Sequence, residues 1–369
     1  MTHTNHTLHI PLTHAPYDIH IKNEQLSHIE DILSPLSLGK KIAIITQDTV
    51  QTLYAEPLNA ALKTSGYDSR IITVPDGETS KSIEHLYAII TTLLQHSFER
   101  NDTLIACGGG VVGDLTGFVA ATYLRGINFI QVPTTLLAQV DASIGGKTGI
   151  NHEKGKNLIG AFYQPRAVII DPSTLSTLPL REFRSGMAEV IKYGIISNPR
   201  LFSMLEEKST QLSTYTFSDN VSIWESIIHA SCKDKAEIVT KDERENNLRA
   251  TLNFGHTIGH GIEAASGYSR YLHGECVAFG MIAATYLSLQ LGKCDPTLLT
   301  KIRSLISAYG FLDKATRCDT NKIFDALMLD KKIKNGTLRF VLPKTIGTVD
   351  IVDVTDMSLI KEAISYVID

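Results

Sequence analysis

Three segments of the 369-residue chain hold residue types and spacings that can do chemistry. Gly108 to Asp114 reads GGGVVGD, directly after a β-rich run and before a helical pattern. Gly108, Gly110 and Gly113 satisfy G-x-G-x-x-G. Such glycines let a backbone turn tightly against a pyrophosphate, whose charge favours a helix N-terminus. The match is irregular: it follows the third buried strand pattern, and no acid ends the next one. Asp48, after the first strand pattern, is the alternative ribose-binding acid. On local grounds the segment is either a dinucleotide loop or a structural glycine turn.

Asp141 to Lys156 reads DASIGGKTGINHEKGK. Lys147 and Lys156 near a glycine pair form either an anion loop or a solvated loop; the P-loop spacing is absent. Asn253 to Glu263 reads NFGHTIGHGIE. His256 and His260 are four apart and share one face of a helix. His273 follows, and Glu189 stands inside another helical pattern, GMAEVIKYG. Two histidines and a carboxylate suit Zn²⁺ or a similar divalent ion; a structural histidine pair is the plainer alternative. Gly255, Gly259, Gly261, Gly267 and Gly274 crowd this region. Glycine at that density costs helix stability, so we expect the backbone to pass close to a ligand there. Arg125, Lys192, Lys235, Arg249 and Lys331–Lys332 add positive charge around these motifs. In a chain of net charge −4 they point to a small anionic substrate, a carboxylate or a phosphate.

The elements that must position these residues fall into two textures. KIAIIT (41–46), RIITV (70–74), TLIAC (103–107), NFIQV (128–132) and AVIID (167–171) are continuous apolar runs, as strands buried on both faces require. Helical patterns at 49–64 and 79–96 lie between them, so the first half reads as a layered, largely parallel α/β sheet. After Asp171-Pro172 helical patterns dominate: 181–196, 221–239, 254–265, 274–291 and 296–308, with short strands at 337–342 and 348–352. We therefore divide the chain into 1–172, a layered α/β domain, and 173–369, a mainly α-helical domain.

Length and composition exclude other classes. At 43% hydrophobic and 20% charged residues the chain folds rather than staying disordered. The small net charge gives no reason to expect nucleic acid. Five cysteines at long spacings, with no C-x-x-C, read as reduced thiols in a cytoplasm rather than a disulfide framework. No run of 18 apolar residues exists, so no membrane span is expected, and the N-terminus lacks the pattern of a secretory signal. His3, His6, His9, His14 and His20 make the N-terminus histidine-rich; a strand or frayed arm is the plain reading and a metal site the other.

Taken together, six segments resemble 3-dehydroquinate synthase: GGGVVGDLTGFVAATYLRG, VPTTLLAQVDASIGGKTGIN, GKNLIGAFYQP, LPLREFRSGMAEVIKYG, LNFGHTIGHGIE and HGECVAFGM. They run in order and span roughly 77–343. The resemblance implies an N-terminal Rossmann-like NAD domain, a helical metal domain and a homodimer. It implies that Glu189, His256 and His273 bind a divalent metal, Zn²⁺ or Co²⁺, and that His260 is an active-site residue but not a ligand. Asp141, Lys147, Lys192, Lys235, Arg249 and Asn253 fall on substrate-contacting positions. Arg125 matches an arginine that serves the neighbouring subunit's site. Asp330-Lys331-Lys332 matches a motif with one substrate lysine, for which Lys332 is preferred over Lys331. Asp48, Glu78, Lys81, Gly110, Val111, Val112, Gly113, Asp114, Thr134, Thr135, Lys147, Lys156, Asn157, Thr177 and Glu182 fall on cofactor-binding segments, Asp48 most loosely. Cys276 departs from the family's usual aliphatic residue, with an effect expected on packing alone.

The implied reaction is that of a carbon–oxygen lyase acting on a phosphate. It converts 3-deoxy-arabino-heptulosonate 7-phosphate to 3-dehydroquinate by transient oxidation, phosphate elimination, re-reduction and aldol closure, with NAD recycled. Two other readings stay beside it. Another sugar-phosphate cyclase, one making an inosose or valiolone, would have no use for Lys235 and Arg249 as carboxylate partners. A metal-dependent polyol dehydrogenase would release NADH and would not need Lys147, Asn253, His260 and Lys332 for phosphate. A noncatalytic binding protein fits worst, because every site residue is present.

Overall fold

The computed structural model describes residues 6–213, 217–245, 247–330 and 337–369. The chain divides into two compact units, 1–178 with 217–236, and 179–216 with 237–369.

The first unit is built on a seven-stranded sheet. Its strands are β1 (His6–Ile10), β2 (Tyr17–Ile21), β3 (Lys41–Gln47), β4 (Asp68–Val74), β5 (Thr103–Gly108), β6 (Asn128–Pro133) and, after the hairpin strands β7 (Lys147–His152) and β8 (Gly155–Phe162), β9 (Ala167–Ile170). The spatial order is β1-β2-β9-β6-β5-β3-β4. Among the described residues only the β1–β2 pair of this sheet is antiparallel. Ile42, Ile44, Ile105 and Cys107 point into one buried cluster, and Ala43, Ile45, Leu104 and Ala106 into another. Burial on both faces explains why these strands read as unbroken apolar runs. The short α1 (Glu30–Leu33) precedes β3. After β3, α2 (Asp48–Val50) runs through a π-helical turn into α3 (Glu56–Thr64); α4 (Ile83–Gln95) precedes β5 and α5 (Gly110–Thr122) follows it.

The chain leaves β3 to build β4 on one side and returns to build β5 on the other. The β3–β5 seam is therefore the switch point of the parallel sheet, and ligands of such sheets bind beyond the strand C-termini there. Asp48 and Gly108–Gly110 stand at those two C-termini.

The second unit is mainly helical. It holds α6 (Leu180–Ile196), α7 (Pro199–Glu207), α8 (Ser209–Ser213), the end of α9 (Val221–Lys241), α10 (His256–Ala265), α11 (His273–Gln290), α12 (Pro296–Ala308) and α13 (Thr320–Asp330). The antiparallel strands β10 (Leu338–Thr345) and β11 (Thr348–Val354) and the helix α14 (Met357–Tyr366) complete it. Among the described residues no helix is long and apolar enough to cross a membrane.

Several points differ from the sequence reading. The unit boundary falls at Leu178, and 217–236 belongs with the first unit although it lies far along the chain. Three contacts of α9 show why. Glu225 accepts from the Asn23 amide, Cys232 Sγ donates to the Gln139 carbonyl, and Lys235 pairs with Asp141. The loop expected around Lys147 and Lys156 is the β7–β8 hairpin. Helices α7, α13 and α14 and strand β2 were not expected. At the N-terminus His9 Nδ1 pairs with Asp18 Oδ1 across the β1–β2 ladder at 2.7 Å, so this histidine serves strand pairing.

The glycine-rich stretch also has a different cause. A Cβ on Gly274 would lie 2.0 Å from the Ser185 carbonyl of α6, and one on Gly280 1.8 Å from the Gly255 carbonyl. Gly259 abuts the Cys276 carbonyl in the same way, at 2.8 Å. These glycines bring α6, α10 and α11 backbone to backbone; they serve helix packing. Cys276 itself is fully buried in α11, in keeping with a packing role. Gly280→Ala should therefore force α10 and α11 apart and cost about 1–3 kcal/mol. Urea unfolding would measure it, and a loss below about 0.5 kcal/mol, the scale of a neutral surface change, would contradict the close packing.

Candidate active site

In the first unit, α5 begins at Gly110 immediately after the β5 C-terminus. Its N-cap residue is Gly109, so no side chain caps it and its first N–H groups are presented at the switch-point crevice. A Cβ on Gly109 would come within 3.1 Å of Thr135, so a side chain there would crowd the approach. Thr134 donates its amide to the Gly108 carbonyl at 3.0 Å, which holds the β6 loop against the turn. An uncapped helix N-terminus lined by glycine is the donor set that a pyrophosphate needs.

A polar network flanks this turn. Lys81 Nζ donates to Asp114 Oδ2 at 2.7 Å and to Asn157 Oδ1, and stands 3.8 Å from Glu78 Oε1. Asn151 Nδ2 donates to Glu78 Oε1 at 2.8 Å, and Asn151 Oδ1 accepts from the Asn157 amide at 2.9 Å. Burial pulls the Lys81 pKa down, but Asp114 and Glu78 outweigh it, so the ammonium is held above its ordinary value. Burial raises the Asp114 carboxyl against the opposing pull of Lys81. Asn151 was not singled out by sequence reasoning, although it ends the GGKTGIN segment. Asp141 lies close by in the chain, and Lys235 Nζ donates to its Oδ1 at 2.8 Å and to its carbonyl at 2.6 Å.

The other expected residues of this unit lie on its neighbouring elements. Thr177 bonds to the Tyr54 hydroxyl at 2.6 Å, in a turn far along the chain from the glycine loop. Lys147 and Lys156 lie on the β7–β8 hairpin, and Asp48 is exposed at the β3 end. Arg125 follows the C-terminus of α5, with positive φ. Thirteen helical residues span about 20 Å, so Arg125 is at the other end of that helix from the glycine turn. Glu182 belongs to the second unit, in the first turn of α6, where burial raises its carboxyl pKa.

In the second unit, α6 carries Glu189 and Lys192 one turn apart, 0% and 1% exposed, with the ammonium against Glu189 Oε2. The start of α11 is tied to α6 by Arg181, whose Nε and Nη2 donate to the two oxygens of Glu275, and by Ser185 Oγ, which accepts from the Gly274 amide at 3.0 Å. This anchoring sets His273 beside Glu189. His256 Nε2 and His273 Nε2 lie 3.5 and 3.7 Å from Glu189 Oε1. The ring of His260, one turn along α10, centres 5.3 Å from His256 and 5.8 Å from His273. The three histidines offer nitrogens within 4.8 Å of one another, the group of this kind found among the described residues.

The electrostatics ask for a cation. His256 Nδ1 lies 3.0 Å from the Phe254 carbonyl, which can only accept, so Nδ1 carries the proton. Burial first, then Lys192, His273 and His260, hold the His256 pKa well below its ordinary value, so the ring is neutral. Its Nε2 lone pair therefore faces a carboxylate oxygen. Glu189 Oε2 is held by the Lys192 ammonium, whereas Oε1 has no hydrogen bond among the described residues. Two acceptors facing one another in a buried pocket are unstable unless a positive ion lies between them. A carboxylate with two imidazoles is a donor set that divalent transition metals take.

Arg249 is 2% exposed; its guanidinium donates to the Glu243 carbonyl and its amide to Asp242 Oδ2. Asn253 Nδ2 donates to Glu245 Oε1 at 2.7 Å. Glu245 and Glu263 were missed by sequence reasoning, because an isolated glutamate has no spacing signal. Lys331 and Lys332 lie outside the described residues.

Comparison with known proteins bears on both units. The family model described as 3-dehydroquinate synthase N-terminal matches residues 71–185, and that described as 3-dehydroquinate synthase C-terminal matches 186–333. The 3-dehydroquinate synthase of Rippkaea orientalis is 47% identical over 358 residues, 97% of each chain. That of Nitrosomonas europaea is 48% identical over 349 residues, 95% of this chain and 93% of its own. Among solved structures, a 2-deoxy-scyllo-inosose synthase complexed with carbaglucose-6-phosphate, NAD⁺ and Co²⁺ superposes with TM-score 0.86 at 25% identity, covering 97% of this chain and 99% of that one. The 2-epi-5-epi-valiolone synthase of Streptomyces hygroscopicus, with NAD⁺ and Zn²⁺ bound, gives TM-score 0.88 at 25% identity over 96% and 98%. A probable glycerol dehydrogenase from Sinorhizobium meliloti shares the fold at TM-score 0.58 and 15% identity, covering 94% of each chain.

Metal-stripped protein should take up one divalent ion per chain. Glu189→Ala and His256→Ala should each lose most of that uptake in equilibrium dialysis read by elemental analysis. Full uptake by both variants would reject Glu189 and His256 as ligands.

Proposed function

The chain belongs to the 3-dehydroquinate synthase family, and we propose that it converts 3-deoxy-arabino-heptulosonate 7-phosphate to 3-dehydroquinate and phosphate. The observation that carries this reading is the pairing, in one chain, of an uncapped glycine-lined helix N-terminus with a buried carboxylate facing histidine lone pairs. The first suits NAD, with Glu78, Lys81, Asp114, Asn151 and Asn157 ordering the loop beside it. The second suits a divalent metal held by Glu189, His256 and His273, with Zn²⁺ or Co²⁺ the ions seen in the related cyclases. When bound, NAD⁺ supplies a reversible hydride acceptor and the metal a Lewis acid.

The chain's own residues do the rest. Oxidation at C5 of the substrate acidifies the C6 proton, and the leaving phosphate takes that proton as the C–O bond breaks. Lys147, Asn253 and His260, with Lys332, stabilise the phosphate as its charge grows. Arg249 and Lys235 take the substrate carboxylate; Arg249 suits it because a guanidinium binds carboxylate through two parallel hydrogen bonds. Asp141 orients Lys235 through the two contacts described above. Lys192, whose ammonium lies against Glu189 Oε2, brings positive charge beside the metal triad. After re-reduction at C5 the ring opens and closes by aldol addition, with no net redox change. The carboxylate partners separate this reading from the inosose and valiolone cyclases. The phosphate set separates it from a polyol dehydrogenase, whose likeness is one of fold.

We further propose a homodimer in a reducing cytoplasm. All five cysteines are free, and Arg125 stands apart from its own chain's glycine turn, as a residue serving a partner's site would. Supplied with the heptulosonate phosphate, NAD⁺ and metal, the enzyme should release phosphate in many-fold excess over NAD⁺, with NADH absorbance near baseline. Free NADH accumulating one per substrate would favour the dehydrogenase. Lys147→Ala should still bind NAD⁺ but release phosphate about 10- to 100-fold more slowly, the loss of one charge-assisted contact. Arg125→Ala should lose activity while sedimenting as a dimer; full activity in a monomer would contradict the trans role.

A further inference from the structure

We propose that Glu263 is a positioning residue, holding His273 in the tautomer whose Nε2 lone pair faces Glu189. The proposal rests on the reading of Glu189, His256 and His273 as a metal triad.

The argument starts from a comparison of two rings. His256 is fixed through Nδ1 by the Phe254 carbonyl at 3.0 Å, which leaves Nε2 toward Glu189. His273 presents the same Nε2 to the same Glu189 oxygen at 3.7 Å. On its far side, Nδ1 of His273 meets Glu263 Oε2 at 3.5 Å. One imidazole thus stands between two carboxylates, each facing one nitrogen. Glu263 sits on α10 one turn beyond His260, and its side chain is 7% exposed. A carboxylate withdrawn from water to that degree is costly unless it faces a donor. As an ionised group it can only accept, so it selects the Nδ1–H form of His273. Selecting that form leaves Nε2 as a lone pair, ready for a cation. A carboxylate behind a ligating histidine also raises the basicity of the ligand nitrogen.

The charge balance agrees. Glu189 and Glu263 set two carboxylates against the single Lys192 ammonium. A divalent cation is therefore better accommodated than it would be by Glu189 and Lys192 alone. Glu263 would act on metal affinity through His273, without touching substrate.

The test uses the full chain carrying Glu263→Ala or Glu263→Gln, stripped of metal and titrated with Zn²⁺ against a chromogenic chelator. Removal of such a partner weakens metal binding by about 10- to 100-fold, and that is the expectation for Glu263→Ala. Glu263→Gln keeps an acceptor oxygen and should recover most of the loss. Nitrogen-15 NMR of the Zn²⁺-loaded protein should show His273 protonated at Nδ1 in the parent, with that resonance shifted in Glu263→Gln. Wild-type Zn²⁺ affinity in both variants would overturn the proposal. If Glu263→Ala does not fold, an unmoved His273 resonance in Glu263→Gln would overturn it instead. Should Glu189→Ala and His256→Ala also keep Zn²⁺, the triad reading falls and this proposal with it. Should they lose Zn²⁺ while the Glu263 variants keep it, the triad stands and only the role of Glu263 is rejected.

Discussion

The second unit is organised around a buried charge that the protein does not neutralise well by itself. Glu189 is withdrawn from water on α6, with an ammonium on one oxygen and imidazole nitrogens facing the other. Removing a carboxylate from water costs several kcal/mol, and an incomplete set of partners leaves part of that cost standing. The surrounding features act to keep the arrangement in place. Glycines bring α6, α10 and α11 into backbone contact, Arg181 and Ser185 tie down the start of α11, and a backbone carbonyl fixes the His256 ring. Rigidity of this kind holds acceptors together that would otherwise separate, and it converts folding energy into affinity for a cation.

The first unit solves a different problem with comparable means. A parallel sheet whose strand order reverses at the β3–β5 seam leaves a crevice at the strand C-termini. The chain places glycine rather than a capping side chain where α5 opens into that crevice. The helix N-terminus is then available to an anion. Lys81 gathers Glu78, Asp114 and Asn157 beside the turn, so the loop is ordered by its own charges. Each unit thus carries an unmet electrostatic demand, positive in one and negative in the other.

How much of this could be read from the sequence depended on whether a residue's role leaves a periodic trace. The parallel strands were legible because burial on both faces demands apolar residues at every position, as in Ile42 to Ile45. The glycine motif and the histidines four apart were legible because their spacing is the chemistry. Spacing alone pairs His256 with His260 and says nothing of Glu189, which lies on another helix. The glycine crowding was visible, but its cause was not: Gly274 and Gly280 meet backbone from distant segments, which sequence order does not display. The same holds for 217–236, whose place with the first unit depends on Glu225, Cys232 and Lys235 each finding partners far away in the chain. Glu263 and Asn151 stayed hidden because one buried polar side chain has no pattern of its own.

The central claim is that Glu189, through the lone pairs facing it, defines the metal position. Crystals grown with Zn²⁺ and measured on both sides of the zinc absorption edge test it directly. The account predicts one anomalous peak within about 2.0–2.2 Å of a Glu189 oxygen and of Nε2 on His256 and His273, with His260 outside that distance. A peak held by His256, His260 and His273, with Glu189 remaining on Lys192, would contradict it.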